Sequence, residues 1–336
     1  MGDSLLRARK RRRSTGWRQQ HVQPARFWIL LCIVALLLAG SACAKRRTVR
    51  APIPPPVVSG PVPQTPSIPQ DPHKPVPTAD AMTSLIPPLG CDSSLQAPWW
   101  QCLYRSNTGE ELVYYLFLPN HSNGLERLPL VTFLHGSSGS GPGDGKPIRG
   151  GHRHGSGIWI QDEIQTKYPS IVIAPQAQPA KGETWVRVWK APAPGDPRPK
   201  EALVLVNELI DDLATLLPVD TQRLYLTGQS MGGFGAWLAY TRYPGRFAAI
   251  VPVCGGGDAA AVTPNSTAVW AFHGDRDRVV PASRSREMVV AIERSNGIVR
   301  YTEYNGLDHN IFERSYSEPG LIEWLFSQRL SQAGLP

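Results

Sequence analysis

From about Gly90 to the C-terminus, short apolar runs alternate with amphipathic stretches. The apolar runs Leu112–Leu118, Leu130–Leu134, Ile171–Ala174, Leu224–Thr227, Ala249–Val253, Val269–Phe272 and Val299–Tyr304 are rich in β-branched and aromatic residues and predict strands. Apolar residues recur at helical spacing in Ile158–Tyr168, Glu201–Leu217, Met231–Tyr243, Ser283–Asn296 and Pro319–Leu330, which predict helices. Strands alternating with helices point to an α/β domain with a mostly parallel sheet flanked by helices. About 245 residues are enough for one large core of this kind. No internal repeat is present.

The first 88 residues follow a different pattern. Phe27–Ala44 is an uncharged 18-residue stretch preceded by Arg7, Arg9, Lys10, Arg11, Arg12, Arg13, Arg18 and Arg26. Its apolar core, Phe27–Ala39, has the length of a signal-peptide core, and the whole stretch just reaches that of a membrane-spanning helix. Ala42 and Ala44 form an A-x-A cleavage signal, and Cys43 follows Gly-Ser-Ala as a bacterial lipid-acceptor cysteine would, although Gly40 stands where such signals usually carry Leu. Residues 1–44 are thus read as a signal peptide or membrane anchor. Three fates stay open: cleaved and lipidated, cleaved and free, or uncleaved. Each exports the rest of the chain to the cell envelope or the extracellular space, with a membrane as partner through the N-terminal segment. Residues 45–88 begin basic, and Ala51–Pro88 then carries 13 prolines in 38 residues. Such a stretch builds no core and reads as a disordered linker reaching on the order of 100 Å. Residues 89–336 form the expected catalytic domain.

Charge sharpens this division. The chain carries +8, yet residues 1–50 hold 12 Lys/Arg against the single acid Asp3, so the remaining 286 residues are three charges negative. The folded part therefore offers no electrostatic case for nucleic acid. Of five cysteines, Cys32 and Cys43 lie in the targeting segment and Cys254 in an apolar run. Cys91 and Cys102 remain as the plausible disulfide pair, in keeping with an oxidising compartment.

Parallel sheets place their chemistry in the loops at the carboxyl ends of the strands. Here those loops carry His135-Gly136-Ser137, Gly228-Gln229-Ser230-Met231-Gly232, H-G-D-R-D-R-V-V-P from His273, and N-G-L-D-H-N from Asn305. G-Q-S-M-G, between an apolar strand and a helix, has the form of a nucleophile elbow, in which residues without bulk are needed two before and two after the serine. Ser230 is the candidate nucleophile. A serine hydroxyl needs a base, and the base needs a carboxylate to fix its tautomer. Asp277 and His309 follow in the order nucleophile, acid, base. Asp275 is the rival acid, but it lies closer to the strand end and reads as a loop-fixing carboxylate. Asp308 reads as a turn residue.

Among the other histidines, His135 and His273 read as strand-end packing groups, and His152 and His154 as solvated loop, since no carboxylate or cysteine stands at ligand spacing. No metal and no cofactor is expected. The amides of Met231 and Ser137 are the candidate oxyanion donors. The loop from Gly136 to Gly157 has nine glycines in 22 residues, but Gly143-Asp144-Gly145-Lys146-Pro147 puts proline where a phosphate-binding loop requires Ser or Thr. Trp185 and Trp189 are candidates for an acyl or aromatic pocket, with packing under a loop as the alternative.

The segments P-L-V-T-F-L-H-G, I-V-I-A-P-Q, V-D-T-Q-R-L-Y-L-T-G-Q-S-M-G-G-F-G-A-W, F-A-A-I-V-P-V-C-G-G-G-D, V-W-A-F-H-G-D-R-D-R-V-V-P and Y-T-E-Y-N-G-L-D-H together resemble the α/β-hydrolases, in particular bacterial esterases and peptidases related to prolyl oligopeptidases, polyhydroxybutyrate depolymerases and feruloyl esterases. The resemblance runs from about Leu112 to Gln328. It implies an α/β-hydrolase fold with nucleophile Ser230, acid Asp277 and base His309. Relatives commonly carry Glu-Arg after the first H-G pair, where this chain has Ser-Ser-Gly-Ser-Gly, so the resemblance speaks to catalysis more than to substrate specificity. Only 15 residues separate Val253 from Val269, too few for a large cap domain. The expected activity is serine hydrolysis of small-molecule or polymer-linked carboxylic esters through an acyl-enzyme. A serine peptidase on the same triad is the alternative, and a non-catalytic surface binding module a third.

Overall fold

The computed structural model describes residues 87–88, 90–93, 97–149, 155–178, 184–185 and 201–330. All fall within the unit Lys74–Pro336. The targeting segment, the proline-rich linker up to residue 86, His152, His154 and Trp189 lie outside the described residues. Among the described residues no helix is long and apolar enough to cross a membrane.

The strands are β1 Cys91–Ser93, β2 Trp100–Arg105, β3 Glu111–Phe117, β4 Leu128–Leu134, β5 Ile171–Gln176, β6 Val219–Gln229, β7 Ala249–Val253, β8 Ala268–Gly274 and β9 Val299–Tyr304. They form one sheet in the order β1-β2-β3-β5-β4-β6-β7-β8-β9. The run from β5 through β9 is parallel, and β1, β2 and β3 add antiparallel pairings at one edge. The helices are α1 Asp162–Lys167, α2 Ala202–Leu216, α3 Met231–Arg242, α4 Ser283–Arg294, α5 Phe312–Tyr316 and α6 Leu321–Ser327. This is an α/β-hydrolase arrangement. Between β7 and β8 the described chain holds only the 3-10 turn Ala259–Ala261, and no large cap domain is evident among the described residues.

The central strands read as continuous apolar runs because both faces of the sheet are covered. Alternate residues point to opposite sides. Leu130, Leu224, Leu226, Ile250, Val269 and Ala271 pack with the apolar face of α2 (Leu205, Leu209, Leu213) and with Trp237 of α3. Val131, Phe133, Tyr225, Val251, Trp270 and Phe272 pack with Trp159, Tyr316 and Trp324 on the other side.

Two strands and two helices depart from the sequence reading. β1 and β2 were not predicted; they are joined by the Cys91–Cys102 disulfide, whose cysteines are directly opposed across the pair. The helix expected over Ile158–Tyr168 is broken, with a 3-10 segment over Gly155–Ile160, an extended Gln161, and then α1. The helix expected over Pro319–Leu330 shortens to α6, and α5 precedes it.

β4 is the switch point of the sheet, with β5 on one side and β6 on the other. Connections leave the carboxyl ends of such neighbouring strands in opposite directions and open a crevice between them. The loops after β4 and β6 therefore meet.

Candidate active site

The turn from β6 into α3 is tight enough to exclude side chains at its flanks. A Cβ on Gly228 would lie 2.4 Å from the Gly232 carbonyl oxygen, and one on Gly232 would lie 1.9 Å from that of Leu134. Ser230 sits between them with φ 53° and ψ −115°, a conformation L-residues seldom adopt. Its own N–H is bonded to the Val253 carbonyl, 2.8 Å away. The side chain is thereby turned out of the helix and toward the carboxyl ends of the neighbouring strands.

The structure brings Ser230, His309 and Asp277 together. Ser230 Oγ is 2.9 Å from His309 Nε2, and His309 Nδ1 is 2.6 Å from Asp277 Oδ2. A carboxylate on Nδ1 puts the imidazole proton there and leaves the Nε2 lone pair for the serine hydroxyl. The other oxygen of Asp277 accepts the N–H groups of Val279 and Val280 at 2.8 and 2.7 Å. The Asp277 side chain is fully buried, while that of His309 keeps 13% of its surface exposed. Asp275 points elsewhere, accepting the Gly306 N–H at 2.6 Å, and so ties the loop after β8 to the loop after β9. Asp308 does the same from the other side, accepting from the Arg278 and His309 amides at 3.0 and 2.8 Å.

The loop after β4 contributes backbone. Gly136 lies against Ser230, so that a Cβ there would be 3.5 Å from Ser230 Cβ, and Ser137 follows it into the 3-10 turn Ser137–Gly139. The Met231 N–H belongs to the first turn of α3, where amides have no acceptor within the helix. Despite its glycines, this loop is firmly held. Gln176, at the end of β5, donates to the Gly139 carbonyl at 2.8 Å and to Asp144 at 2.7 Å. Its oxygen accepts from Tyr115, whose hydroxyl in turn accepts the Gly145 N–H at 2.6 Å. Burial opposes the charge on Asp144, but hydrogen bonds from Lys146 and Gln176 prevail and bring its pKa down to about 2. The anchor therefore stays ionised through the mildly acidic range.

His135 and Trp185 belong to the same support. His135 Nε2 accepts the Ala177 N–H at 3.1 Å, and burial takes its pKa down to about 4, so the ring is neutral. Trp185 is wholly buried, 4.8 Å from the His135 ring, and donates to the His135 carbonyl at 2.8 Å. Of the two readings left open for Trp185, acyl pocket or packing under a loop, its burial and its bond to His135 fit packing beneath the loop. A cavity of about 900 Å³ runs beside α3 and the loop after β8, bordered by Phe234, Leu238, Val280, Pro281, Arg242 and Arg284, but neither Ser230 nor His309 lines it.

Two buried groups near the acid were not singled out from the sequence as parts of the site. Cys254 follows β7 with φ 49°, and its thiol points at the His309 carbonyl 3.3 Å away. Burial pushes that thiol far above the usual range. His273, read as a strand-end packing group, is indeed buried at the end of β8, and it also reaches Asp277 Oδ2 at 3.2 Å. Donor atoms of Cys254, His273 and Asp277 lie within 4.8 Å of one another, the spacing a metal ion would need. Each is already committed to a protein hydrogen bond.

A sheet of this topology with a serine, histidine and aspartate aligned at its carboxyl edge defines an α/β-hydrolase. A family model described as "Putative esterase" matches residues 106–293, a span that includes Ser230 and Asp277. The chain belongs to this esterase family. A crystal structure of a thermostable esterase is 34% identical with a TM-score of 0.62 over 69% of this chain; the match spans 63% of that protein's length. S-formylglutathione hydrolases from Agrobacterium tumefaciens (14% identical, TM-score 0.51, 72% of this chain and 99% of that one) and Staphylococcus aureus (14%, 0.50, 68% and 98%) share the fold. No curated protein matches the chain.

Proposed function

We propose that this chain is an exported serine hydrolase that cleaves carboxylic esters through an acyl-enzyme. The observation carrying this reading is the unbroken line of hydrogen bonds from Ser230 Oγ through His309 to Asp277. As Oγ attacks the ester carbonyl, its proton passes to His309 Nε2, and Asp277 steadies the imidazolium that results. The charge that develops on the carbonyl oxygen is met by the N–H groups of Met231 and Ser137. Collapse of the tetrahedral intermediate breaks the bond to the leaving alkoxide, which takes the proton from Nε2. Water then gives a proton to the same nitrogen and attacks the acyl group, the carboxylic acid departs, and the proton returns to Ser230 Oγ.

The short connection between β7 and β8, without a cap among the described residues, favours substrates that are bulky or attached to a polymer beyond the ester. Export is supported by the arginine-flanked apolar segment Phe27–Ala44 and by the Cys91–Cys102 disulfide, which suits an oxidising compartment.

Turnover of p-nitrophenyl acetate tests the assignment. Ser230→Ala is expected to lower kcat about a million-fold. Retention of ester turnover in that variant would reject the mechanism.

A further inference from the structure

His273 closes β8, and its side chain has no exposed surface. Its Nε2 faces two acceptors, the Val280 carbonyl at 2.9 Å and Asp277 Oδ2 at 3.2 Å. Its Nδ1 lies 2.8 Å from Ser285 Oγ on α4. Burial holds the ring below the ordinary imidazole value in spite of the neighbouring carboxylate, so it carries one proton. Two acceptors at Nε2 require that proton to be there and leave Nδ1 as an acceptor; the Ser285 hydroxyl stands between Nδ1 and the Gly255 carbonyl, 3.1 Å from the latter, and shares its one proton between them. The two acceptors from the loop after β8 therefore set one tautomer, with Ser285 of the following helix lying against the opposite nitrogen. The same Oδ2 that meets His309 at 2.6 Å also faces the His273 N–H.

We propose that His273 is a positioning residue for the hydrolytic array: its Nε2–H, set by Val280 and backed at the opposite nitrogen by Ser285, holds the Asp277 carboxylate where Oδ2 meets His309. The inference rests on the reading of Ser230, His309 and Asp277 as the hydrolytic array. The loop bearing Asp277 gives two backbone N–H groups to Oδ1, which leaves the carboxylate free to swing about that oxygen. His273 supplies the contact at Oδ2 from a different element, the strand itself.

A second effect follows from sharing Oδ2 between two donors. Taking the His273 N–H away leaves more of the carboxylate's charge to His309, which favours the imidazolium and delays release of Nε2 as pH rises. The charged and titratable groups that face the ring are few. Asp277 stands on its own loop and Cys254 at the end of β7, where burial keeps the thiol protonated. His309 stands on the last loop, and Glu303 lies opposite on β9, paired with Arg286 at 2.6 Å.

The experiment compares full-chain His273→Leu, His273→Gln and Ser285→Ala with the unaltered protein by kcat, KM and the pH dependence of kcat/KM, with circular dichroism confirming the fold. Leucine removes the donor, whereas glutamine keeps an N–H at the place of Nε2. His273→Leu is expected to lower kcat about tenfold to a hundredfold, the range for a lost hydrogen bond to a charged group, with KM within about twofold. Its acidic limb should move to higher pH, and His273→Gln should restore both. Ser285→Ala keeps the ring but removes its partner at Nδ1, so the limb should move the same way by less.

A limb that stays put in a folded His273→Leu overturns the proposal, as does failure of glutamine to rescue. If the leucine variant does not fold, an unmoved limb in Ser285→Ala is decisive in its place. Persistent activity in Ser230→Ala rejects the hydrolytic array itself, whereas a dead Ser230→Ala beside an unmoved limb rejects only the role of His273.

Discussion

The loop after β4 and the loops after β8 and β9 meet at the same edge of the sheet but are built in opposite ways. The first brings backbone to the site and is held by side chains: Gln176, Tyr115 and Asp144 grip its carbonyls and amides from β3, β5 and the loop itself. The later pair brings side chains, Asp277 and His309, and is held largely by backbone: the amides of Val279, Val280, Gly306, Arg278 and His309 are all bonded to aspartates. Donors that must not move are thus braced by groups that are free to be mutated. Asp277 itself is braced by main-chain amides that mutation cannot remove, while the loops around it are tied through the carboxylates of Asp275 and Asp308.

The sharpest way to break this contrast is at the two aspartates of the loop after β8. Asp277→Asn leaves the size of the side chain unchanged but presents an amide where His309 needs an acceptor, and kcat should fall about ten-thousandfold. Asp275→Asn disturbs only the tie to Gly306, so a loss of less than about tenfold in the same assay is expected, the size of a single modest hydrogen bond. A much milder loss in Asp277→Asn would move the acid to Asp275. In the loop after β4, Gln176→Leu removes two donors and an acceptor without touching the array. Turnover should drop about tenfold to a hundredfold, short of the hundredfold to thousandfold of an oxyanion donor lost outright. An unchanged kcat would mean that the loop holds itself.

The weakest effect on catalysis is expected farthest away. Replacing Cys91 and Cys102 together by alanine should cost about 3 kcal/mol of stability in the chain-entropy account while leaving kcat within about twofold, as read from urea unfolding and steady-state assays. A large loss of kcat would tie the antiparallel edge to the site.

Much of this was legible along the chain, and the reason is physical. Strands buried on both faces write themselves as apolar runs, so β3 to β9 were found within a few residues, and β6 was underestimated only where Asp220, Thr221, Gln222 and Arg223 carry it beyond the sheet's apolar interior. β1 and β2 were missed because three residues and a mixed run leave little periodicity, and their pairing is recorded instead in two cysteines. The glycine-flanked serine, the order of acid and base, and their places at strand ends pointed to the residues that the structure brings together. Sequence did not reveal which buried group shares Asp277, because His273 and Cys254 look like any strand-end residue until the neighbouring strand is set beside them. Nor did it decide Trp185, whose indole nitrogen finds its partner 50 positions earlier in the chain.

The backbone at Ser230 carries one more implication. With φ at 53° and ψ at −115°, that position would be more comfortable as glycine, which enters such territory at little cost. A fold shaped for durability alone would have no use for a serine there. The residue under the greatest main-chain tension in the elbow is therefore the one whose hydroxyl meets His309, so the strain is spent where it aims that hydroxyl along the strand ends.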